Sequence, residues 1–558
     1  MEALRSFAYE APPEIASGET AHCAVLIVGA GPVGLACALD LGLHGVRTLV
    51  LDDGDTVSTG SRAICYAKRT LEILDRYGCG EAVASRGVGW RTGKVFHRDR
   101  LAYAFDLQPE PGHRRPAFVN LQQYHLESAM IDRLAELGTS VIRWRHRVAA
   151  LEQDAEAVVV RVDTPDGSYR VRADWLVACD GARSTVRGLL GLDFRGQVFR
   201  DRFLIADVRM AGDFPTERWF WFDPPFHPGQ SVLLHRQADD VWRIDFQLGW
   251  DADPELERQP GRVLPRIRAM LGDDRPFELE WVSVYTFQCR RIERFVHGRV
   301  VFAGDAAHQV SPFGARGANS GIQDADNLGW KLARVLSGRS PPALLRTYDR
   351  ERVEAADENI LNSTRATDFI TPKSRWSHTL REAVLTLAQR HEFARRMVNS
   401  GRLSLPTCYR GSLLSTEDTQ GFDEAMGPGS PSADAPVAVG GRATWWLALV
   451  GGSFEVVLFA GPDGPSTSEL QTLAGALDED SRGWVVLPVG TRAPALPEGL
   501  AGVVDSEGLL SRRFDARPGT VCLLRPDQHV AARWRQGEAA ALQRALRRAR
   551  GLDIPEGA

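Results

Sequence analysis

The sequence has few of the features that mark secreted, membrane-spanning or nucleic-acid-binding proteins. Its eight cysteines are scattered through 558 residues and none forms a CxxC pair, which argues against a metal site, a redox dithiol or a disulfide framework. The most apolar stretch, 24–43, is broken by glycines, a proline and an aspartate, so we expect no membrane span. The net charge of −5 offers no basic field for nucleic acid. Together these absences predict a cytoplasmic protein with free thiols.

Lysine is also scarce, and the N-terminus lacks the features of a signal peptide. Arginine supplies nearly all the basic residues, because the only lysines are Lys68, Lys94, Lys331 and Lys373. The first 22 residues carry four glutamates and no basic region followed by an apolar core, so we expect no signal peptide. The hydrophobic fraction of 44% is that of an ordinary globular protein, and the length predicts three or four domain-sized units.

A glycine-rich turn between a strand and a helix predicts a dinucleotide site. The apolar run 24–28 leads into the GxGxxG turn 29–34, a helical stretch follows, and a second apolar run, 46–51, ends at Asp52. Such glycines let the backbone approach a pyrophosphate, the helix start supplies free N–H groups, and the acid falls where a ribose diol can bind. The candidate ligands are Gly29, Gly31, Gly34 and Asp52.

Two later strands also end in distinctive loops. The run 175–179 leads into DGARS at 180–184, and the run 299–303 leads into a loop of small residues that precedes a helix beginning near Asn319. Between them, 190–285 is rich in aromatics and short alternating runs. Alternation in WRIDFQL at 242–248 places Trp, Ile, Phe and Leu on one face and Arg, Asp and Gln on the other. We therefore expect an antiparallel sheet inserted into the nucleotide-binding domain.

The remainder of the chain predicts three further regions. Residues 340–400 are helical and rich in arginine, and 401–435 are rich in Gly, Ser and Pro, as in a linker. Residues 436–558 return to apolar strands and end in a charged helix, which predicts a small α/β domain.

Three motifs together resemble the fingerprints of a known enzyme family. The GxGxxG at 29–34, the DGARS at 180–184 and the segment GDAAH…PFGARGANSGIQDADNLGWKL at 304–332 resemble, in order and spacing, those of single-component FAD-dependent aromatic hydroxylases. These are the group A flavoprotein monooxygenases of the para-hydroxybenzoate hydroxylase fold. In the third motif GARGAN stands where GGQGMN is common, which leaves flavin binding intact but alters the edge of the pocket.

Other segments are similar to one branch of that family. SRAI at 61–64 and VNLQQYHLE at 119–127 resemble segments of hydroxyphenylpropionate and aromatic polyketide hydroxylases, whose members carry a C-terminal thioredoxin-like domain. The resemblance implies an α/β fold. It comprises a Rossmann-like FAD-binding domain at 24–400 with an inserted antiparallel substrate sheet at about 190–285, a helical region, a linker at 401–435 and a thioredoxin-like domain at 436–558.

The resemblance also implies roles for individual residues. Asp305 is expected to accept a hydrogen bond from the ribityl chain, and Gly304 to leave room for the cofactor. The start of the following helix is expected to face the N1–C2=O edge of the flavin, where negative charge develops on reduction. Further expected FAD contacts are Asp52, Arg62, Gln123, Asp180, Pro312, Gly317, Ala318 and Asn319.

The sequence indicates the substrate-binding residues less clearly than the FAD-binding ones. Trp219, Trp221 and Phe222 are candidates to wall an aromatic substrate, with His235 and Tyr285 nearby, but packing in a core explains these side chains as well. No base that removes a phenolic proton is identified, and no metal ligands are expected.

The resemblance implies that NAD(P)H reduces FAD and that O2 then forms a C4a-hydroperoxide, which hydroxylates a small aromatic, phenolic substrate. No second GxGxxG is present, so NAD(P)H has no domain of its own. Three alternatives stay open: a flavin-dependent halogenase, although WFWFDP at 219–224 departs from the WxWxIP motif; an oxidoreductase of non-aromatic substrates; and a non-catalytic flavin- or ligand-sequestering protein. The identity of the substrate, the choice between NADH and NADPH and the oligomeric state stay open too, and a homodimer is compatible with the sequence.

Overall fold

The computed structural model describes residues 4–60, 62–211, 215–272, 275–399, 404–423, 425–491 and 495–554. Ser61 of the SRAI motif, part of the expected linker and the last four residues lie outside these ranges. In the first part of the chain the strands are β1 (Thr20–Val28), β2 (Thr48–Asp52), β3 (Cys65–Ala67), β4 (Val88–Trp90), β5 (Thr92–His97), β6 (Arg100–Asp106), β7 (Phe118–Asn120), β8 (Ser140–Trp144), β9 (Arg147–Gln153), β10 (Val158–Thr164), β11 (Gly167–Ala178), β12 (Arg195–Arg209), β13 (Arg218–Phe222), β14 (Ser231–Arg236), β15 (Val241–Gly249), β16 (Glu278–Arg291), β17 (Val296–His297), β18 (Val300–Phe302) and β19 (His308–Gln309).

The helices of this part are α1 (Pro13–Ser17), α2 (Pro32–Leu43), α3 (Lys68–Tyr77), α4 (Gly80–Arg86), α5 (Gln123–Leu137), α6 (Thr185–Leu189), α7 (Pro254–Glu257), α8 (Pro260–Leu271), α9 (Gly317–Leu336), α10 (Leu344–Ile370), α11 (Arg375–Ala388) and α12 (Glu392–Asn399). The C-terminal part contains β20 (Pro436–Val439), β21 (Arg442–Trp445), β22 (Phe454–Phe459), α13 (Thr467–Ala476), β23 (Ser481–Pro488), β24 (Leu500–Asp505), α14 (Leu509–Arg513), β25 (Val521–Leu524), β26 (Val530–Trp534) and α15 (Ala539–Ala549).

The first sheet carries the nucleotide motifs. Its core order is β17-β18-β11-β1-β2-β8, and the strands from β18 to β8 run parallel. The apolar runs that end in the motifs are buried on both faces, as expected for central parallel strands. Parallel strands end at a common edge, where Asp52 is the last residue of β2 and Gly29, Asp180 and Gly304 follow the ends of β1, β11 and β18.

The second sheet is the expected antiparallel one, but it is not a single insertion. Its order is β19-β16-β12-β15-β14-β13-β5-β6, so β5 and β6 join from residues 92–106, outside the range 190–285. Strand β5 pairs in parallel with β13. A parallel partner needs no short connection in sequence, which explains why the local pattern did not reveal these two strands. Helix α8 covers one face of the sheet through Val263 and Ile267.

The C-terminal sheet has the order β21-β20-β24-β23-β22-β25-β26. Within it, β22 and β23 are parallel with α13 between them, β25 is antiparallel to β22, β26 to β25, and α15 ends the unit. This is the strand arrangement of a thioredoxin-like domain, extended by β24, β20 and β21. Its core is shared with the rest of the molecule, because Trp330 of α9 and Leu344 of α10 belong to the same buried cluster.

Within the part of the chain that the structure covers, no helix is both long and apolar enough to cross a membrane. Nor do His, Cys, Asp or Glu side chains gather there into a group of three that could hold a metal ion.

Candidate functional site

The three glycines of the GxGxxG turn have different roles: Gly29 is required by the turn geometry, Gly34 by packing, and Gly31 faces open space. Gly29 has φ +103°, and a Cβ there would overlap the carbonyl of Cys179. A Cβ on Gly34 would overlap the carbonyl oxygen of Gly29, so this residue sets the close approach of α2 to the turn. Gly31 has no atom within 4 Å of its Cβ position. The space beside Gly31, in front of the amino end of α2, is therefore open to a phosphate group.

Asp52 holds the turn in place and still presents its carboxylate at the strand edge. Its Oδ2 accepts the N–H of Ala30 at 2.6 Å and its Oδ1 accepts the N–H of Gly54 at 2.8 Å. Burial raises the pKa of this carboxyl group in spite of these two donors. Carboxylate oxygens have two lone pairs each, so both oxygens keep capacity for a ribose hydroxyl.

The DGARS motif places a second, incompletely paired carboxylate on the same edge. Asp180 accepts the N–H of Val186 through Oδ2 at 3.0 Å, while its buried Oδ1 has no partner among the described residues. Burial raises the pKa of Asp180. Gly181 follows with φ +74°, and Arg183 is exposed. A buried carboxylate oxygen without a donor is costly, and a ligand hydroxyl would satisfy it.

Gly304 is required by the protein itself. Its φ is +62°, and a Cβ there would meet the Val33 side chain at 2.8 Å. We expected a side chain at Gly304 to obstruct the cofactor; the structure shows that it would first collide with α2. Its amide donates to Asp324 Oδ2 at 2.9 Å.

Asp305, the next residue, has a carboxylate with no hydrogen bond or ion pair to the described residues. Its Oδ1 lies 4.0 Å from the Cβ position of Gly317, at the start of α9. Burial raises the pKa of Asp305, since nothing compensates the charge fully. Such a group points to an absent donor, and a sugar-like hydroxyl is one that fits.

The small-residue loop ends in a helix start that faces the same region. Pro312 begins a short 3-10 turn, and Ala315 has φ +51°, a left-handed conformation that is strained for a residue with a Cβ. The common motif has Gly at this position, so the Ala costs local strain. Helix α9 begins at Gly317, two residues before the expected position, and the amides of Gly317 and Ala318 precede its first backbone hydrogen bonds.

The side chain of Asn319 is hydrogen-bonded within the protein and does not face open space. Its Oδ1 accepts the N–H of Ala67 at 2.8 Å, and its Nδ2 donates to the carbonyls of Cys65 and Ala315 at 2.8 and 2.5 Å. The side chain thus ties α9 to β3. Only the backbone amide of Asn319 remains for an FAD contact.

Arg62 and Gln123 lie at the rim of this region. Gln123 accepts the N–H of Ala63 at 3.0 Å and donates to Glu127 at 2.8 Å, so its amide is engaged at both ends. The Arg62 side chain is exposed, and its carbonyl accepts from Arg243 at 3.4 Å. These contacts place Arg62 beside the second sheet.

One face of the second sheet, which we call the inner face, lies against the loop of small residues at 304–316, which we call the flavin loop. Tyr285 lies on it, 48% exposed, and its pKa is raised by burial and by the nearby charge of Asp305. Phe313 of the loop packs on Phe203 and Phe287 at ring-centroid distances of 4.9 and 5.0 Å. The loop therefore packs against the inner face at this end of the sheet.

His235 also lies on the inner face, but it is 2% exposed. Its Nδ1 is 3.9 Å from the sulfur of Cys65. Burial and the charges of Arg218 and Arg243 depress its pKa well below the usual value, so the ring is neutral at pH 7.

The structure separates the other substrate candidates. Trp219 and Trp221 alternate with the inner-face residues of β13 and pack in the outer cluster beneath α8. The ring of Trp221 stacks on Phe96 at 5.1 Å. Phe222 is on the inner face but is fully buried, edge-on to Phe369 of α10. The sheet thus separates Trp219 and Trp221 from His235 and Tyr285, while Phe222 shares their face but is buried.

Sequence reasoning missed the charged side chains of the inner face. Arg243 donates to Asp245 Oδ1 at 2.7 Å, and both are buried. Arg218 is partly buried, its pKa is lowered by burial, and it makes no hydrogen bond or ion pair with the described residues. The alternation of Arg and Asp with apolar residues in 242–248 was the available signal, since polar side chains on an inner strand face require a reason.

Comparisons with known proteins agree with this geometry. The family model described as FAD binding domain matches residues 22–363, and that described as HcaD C-terminal domain matches residues 448–549. The chain is 37% identical over 378 residues to 12-dehydrotetracycline 5-monooxygenase/anhydrotetracycline 6-monooxygenase of Streptomyces rimosus subsp. rimosus, covering 65% of this chain and 73% of that one. It is 29% identical over 540 residues to 3-(3-hydroxy-phenyl)propionate/3-hydroxycinnamic acid hydroxylase of Escherichia coli O8, covering 93% of each.

Solved structures are similar over nearly the whole chain. The anhydrotetracycline hydroxylase OxyS from Streptomyces rimosus superposes with a TM-score of 0.69 at 28% identity, covering 95% of this chain and 99% of that one. The flavin-dependent monooxygenase PieE, solved with FAD and substrate, has a TM-score of 0.80 at 23% identity over the same shares, which shows the fold alone.

Oδ1 of Asp180 and the Asp305 carboxylate, which have no hydrogen bond to the described residues, the open space at Gly31 and the first amides of α9 are groups that FAD would satisfy. The comparisons do not favour a halogenase, an oxidoreductase of non-aromatic substrates or a non-catalytic flavoprotein. The chain therefore belongs to the FAD-binding-domain family and is an FAD-dependent aromatic hydroxylase, a monooxygenase that uses O2 and a reduced nicotinamide cofactor.

Proposed function

We propose that the chain hydroxylates an acidic, multi-ring phenol bound between the inner face and the flavin loop. The observation that carries this proposal is Arg218, a guanidinium on the inner face without a hydrogen bond or ion pair among the described residues. A desolvated cation of this kind favours an anionic oxygen of the substrate, such as a phenolate, enolate or carboxylate.

The spacing of the sheet supports an extended substrate. Arg218 is on β13 and Tyr285 is on β16, and the order β16-β12-β15-β14-β13 puts four strand spacings between them. At about 4.8 Å per spacing, the two backbones are about 19 Å apart. A fused ring system could reach from the Arg218 side chain to the loop at Asp305, whereas a single ring could not. The 37% identity to a tetracycline monooxygenase supports the same substrate class.

Roles for the cofactor residues follow from their contacts. We assign Asp52 to the adenosine ribose, Gly31 and the start of α2 to the pyrophosphate, and Asp305 to the ribityl chain. Gly317 and Ala318 would present backbone amides to the flavin ring. FAD supplies the electron transfer and oxygen activation, and the protein supplies binding and orientation.

The chain's own side chains would hold the substrate ring and exclude water. Phe203, Phe287 and Phe313 form an aromatic floor beside the loop, and burial raises the pKa of Tyr285, so its phenol stays protonated at neutral pH. Tyr285 can therefore donate a hydrogen bond to a substrate oxygen.

A second candidate substrate is a hydroxyphenylpropionate. The observation in its favour is the similarity to a hydroxylase of that substrate across 93% of both chains. With a single ring near Asp305, the nearer Arg243 rather than Arg218 would face the carboxylate, since Arg243 contributes to the electrostatics of Tyr285.

Substrate-stimulated NAD(P)H oxidation tests the proposal. The purified FAD-loaded protein would be offered tetracyclic phenols and 3-hydroxyphenylpropionate, with mass-spectrometric detection of a product one oxygen heavier. We expect an oxygenated product from a tetracyclic phenol, and Arg218→Gln should raise its KM while leaving FAD bound. Arg236→Gln is the matched control, because this arginine is near the end of a neighbouring strand and pairs with Asp240. Product from 3-hydroxyphenylpropionate alone, insensitive to Arg218→Gln, would overturn the multi-ring assignment.

We also propose that the protein is a cytoplasmic homodimer. Its domain limits are proposed to be those predicted from the sequence, 24–400, 401–435 and 436–558. Eight free cysteines suit a reducing compartment. Helices α11 and α12 expose Trp376, Leu380 and Phe393 at 85%, 59% and 60%, an apolar surface of the kind that self-association covers. Light scattering of the wild type and of Trp376→Glu would measure this, and a monomeric wild type would rule it out.

A further inference from the structure

The flavin loop is connected to the C-terminal domain by buried polar contacts that the catalytic description leaves unused. They begin at Asp324 of α9, which is fully buried. Its Oδ2 accepts the amide of Gly304 at 2.9 Å and lies 2.7 Å from Nε2 of His308, so this one carboxylate holds both sides of the GDAAH turn. Asp305, the proposed ribityl ligand, is inside that turn.

Arg352 of α10 in turn holds Asp324 in place. Arg352 donates from Nε to Asp324 Oδ1 at 2.5 Å and from Nη2 to the carbonyl of Ser320 at 3.1 Å. Burial opposes ionisation of Asp324, but the Arg352 guanidinium keeps the pKa of this carboxyl group below its usual value. A buried carboxylate that stays ionised keeps its hydrogen-bond geometry, so Arg352 fixes the group that fixes the loop.

The contacts then cross into the C-terminal part of the chain. Arg352 donates from Nη1 to the hydroxyl of Tyr409 at 2.7 Å, and the Tyr409 ring stacks on His529 with centroids 4.7 Å apart. His529 Nδ1 is 3.4 Å from Asp527 Oδ1. Residues 525–529 join β25 to β26 of the thioredoxin-like domain, and we call them the C-terminal turn.

A second set of contacts ties the same turn to α9 and α10. Arg525 donates to both oxygens of Glu351, at 2.7 and 3.1 Å, and to Asp527. Glu351 also accepts from Lys331 of α9 at 2.7 Å. All four side chains are nearly inaccessible to solvent. Arg69 of α3 completes the contact by donating to the Asp527 carbonyl at 2.9 Å.

Buried ion pairs of this density are weak evidence for stability, because desolvation cancels much of the attraction. They are better suited to fixing one relative arrangement of the parts they join. Helix α9 carries Asp324 and Lys331, and its amino end is the end that faces the flavin. The C-terminal turn therefore holds the helix that the cofactor needs.

We propose that the C-terminal domain is a positioning element for FAD: through Tyr409, Arg352 and Asp324, and through Arg525 and Glu351, its turn sets the geometry of the flavin loop. No thiol chemistry is involved. The proposal rests on the assignment of the loop to FAD and adds a role for a domain that contains none of the residues assigned to FAD.

Tyr409→Phe is the first test, because it removes one hydroxyl and keeps the stacked ring. Arg352 then loses an acceptor, and the FAD dissociation constant, measured by titrating the apoprotein, should rise by roughly 5- to 150-fold, the usual range for coupled sites. The absorbance spectrum of bound flavin should shift as well, since the loop beside the ring changes. Unchanged FAD affinity and spectrum would refute the path through Tyr409.

Arg525→Met tests the second set of contacts against a matched control. Arg533 is in the same hairpin and 4% exposed, and its hydrogen bonds to the described residues go to Asp418, Ala425 and Asp423 rather than to α9 or α10. We expect Arg525→Met to weaken FAD binding and Arg533→Met to leave it within twofold, at comparable losses of melting temperature. Equal effects of the two variants on FAD affinity would reduce the role of the turn to general stability and overturn the proposal.

Hydrogen exchange of the wild type tests the same coupling in case the variants fail to fold. Coupling is reciprocal, so adding FAD should slow amide exchange in 524–530 more than in β20 and β21 of the same domain. Equal protection of the two segments would contradict the proposal. Failure of Asp305→Ala to weaken FAD binding would instead contradict the loop assignment on which it rests.

Discussion

Replacing Asp305 tests the assignment of the flavin loop most directly. The structure gives this carboxylate no hydrogen bond or ion pair to the described residues, so Asp305→Ala breaks no such bond within the protein. If the group accepts a ribityl hydroxyl, the variant loses a hydrogen bond to a charged acceptor, about 1.5–3 kcal/mol. Since about 1.4 kcal/mol is a factor of ten, FAD should bind about 10- to 150-fold more weakly.

The same reasoning predicts the opposite effect on the apoprotein. The pKa of Asp305 is raised in the folded state by burial, so the wild type binds more protons folded than unfolded and loses stability as pH rises through that pKa. Asp305→Ala and Asp305→Asn lack this penalty. At pH 7 to 8 both apoproteins should melt at or above the wild-type temperature, and the advantage should shrink at pH 4.

The assay is a fluorescence titration of each apoprotein with FAD, alongside thermal melts with and without the cofactor. Asp305→Asn keeps an acceptor oxygen at the same position, so it should lose less affinity than Asp305→Ala. Excess FAD should restore part of the activity of both. An unchanged dissociation constant for Asp305→Ala, or an apoprotein that melts lower and is not rescued by FAD, would refute the assignment.

The remaining predictions use other features of the structure. Gly31→Ala should weaken FAD binding without lowering the apoprotein melting temperature, because its Cβ enters open space, whereas Gly34→Ala should also destabilise the apoprotein; equal melting losses would contradict the packing difference. Trp221→Ala should lower stability by less than the roughly 3–5 kcal/mol of a fully buried aromatic truncation, because Trp221 is only partly buried, while hydroxylation stays coupled to NAD(P)H oxidation. A rise in released peroxide would return this residue to the substrate side. Burial raises the pKa of Asp40 to about 7, so the wild type should lose stability from pH 5 to 8 relative to Asp40→Asn in chemical denaturation, and parallel pH profiles would contradict this. Cys522→Ala should retain hydroxylation, since burial raises the thiol pKa to about 12 and makes it inert, and loss of turnover in a folded variant would show otherwise.

Features with a short-range cause were predictable from the sequence. The turn at 29–34, the acid at the end of β2 and the alternation in 242–248 depend on neighbours a few residues apart, and the structure contains each of them. The family motifs added FAD and a C-terminal domain, and the family models support both. The roles of the individual cofactor residues stay predictions.

Features that depend on distant parts of the chain were decided only by the tertiary structure. Alternation defines two faces of a strand but not which face meets the flavin loop, so the sequence did not reveal that Trp219 and Trp221 lie on the face opposite Tyr285. The parallel pairing of β5 with β13 and the ion pair between Arg525 and Glu351 join residues more than 100 positions apart. Local patterns record the propensity and amphipathicity of single elements; a close approach such as that of Gly304 to Val33, or a buried charge and its partner, exists only after the elements have packed.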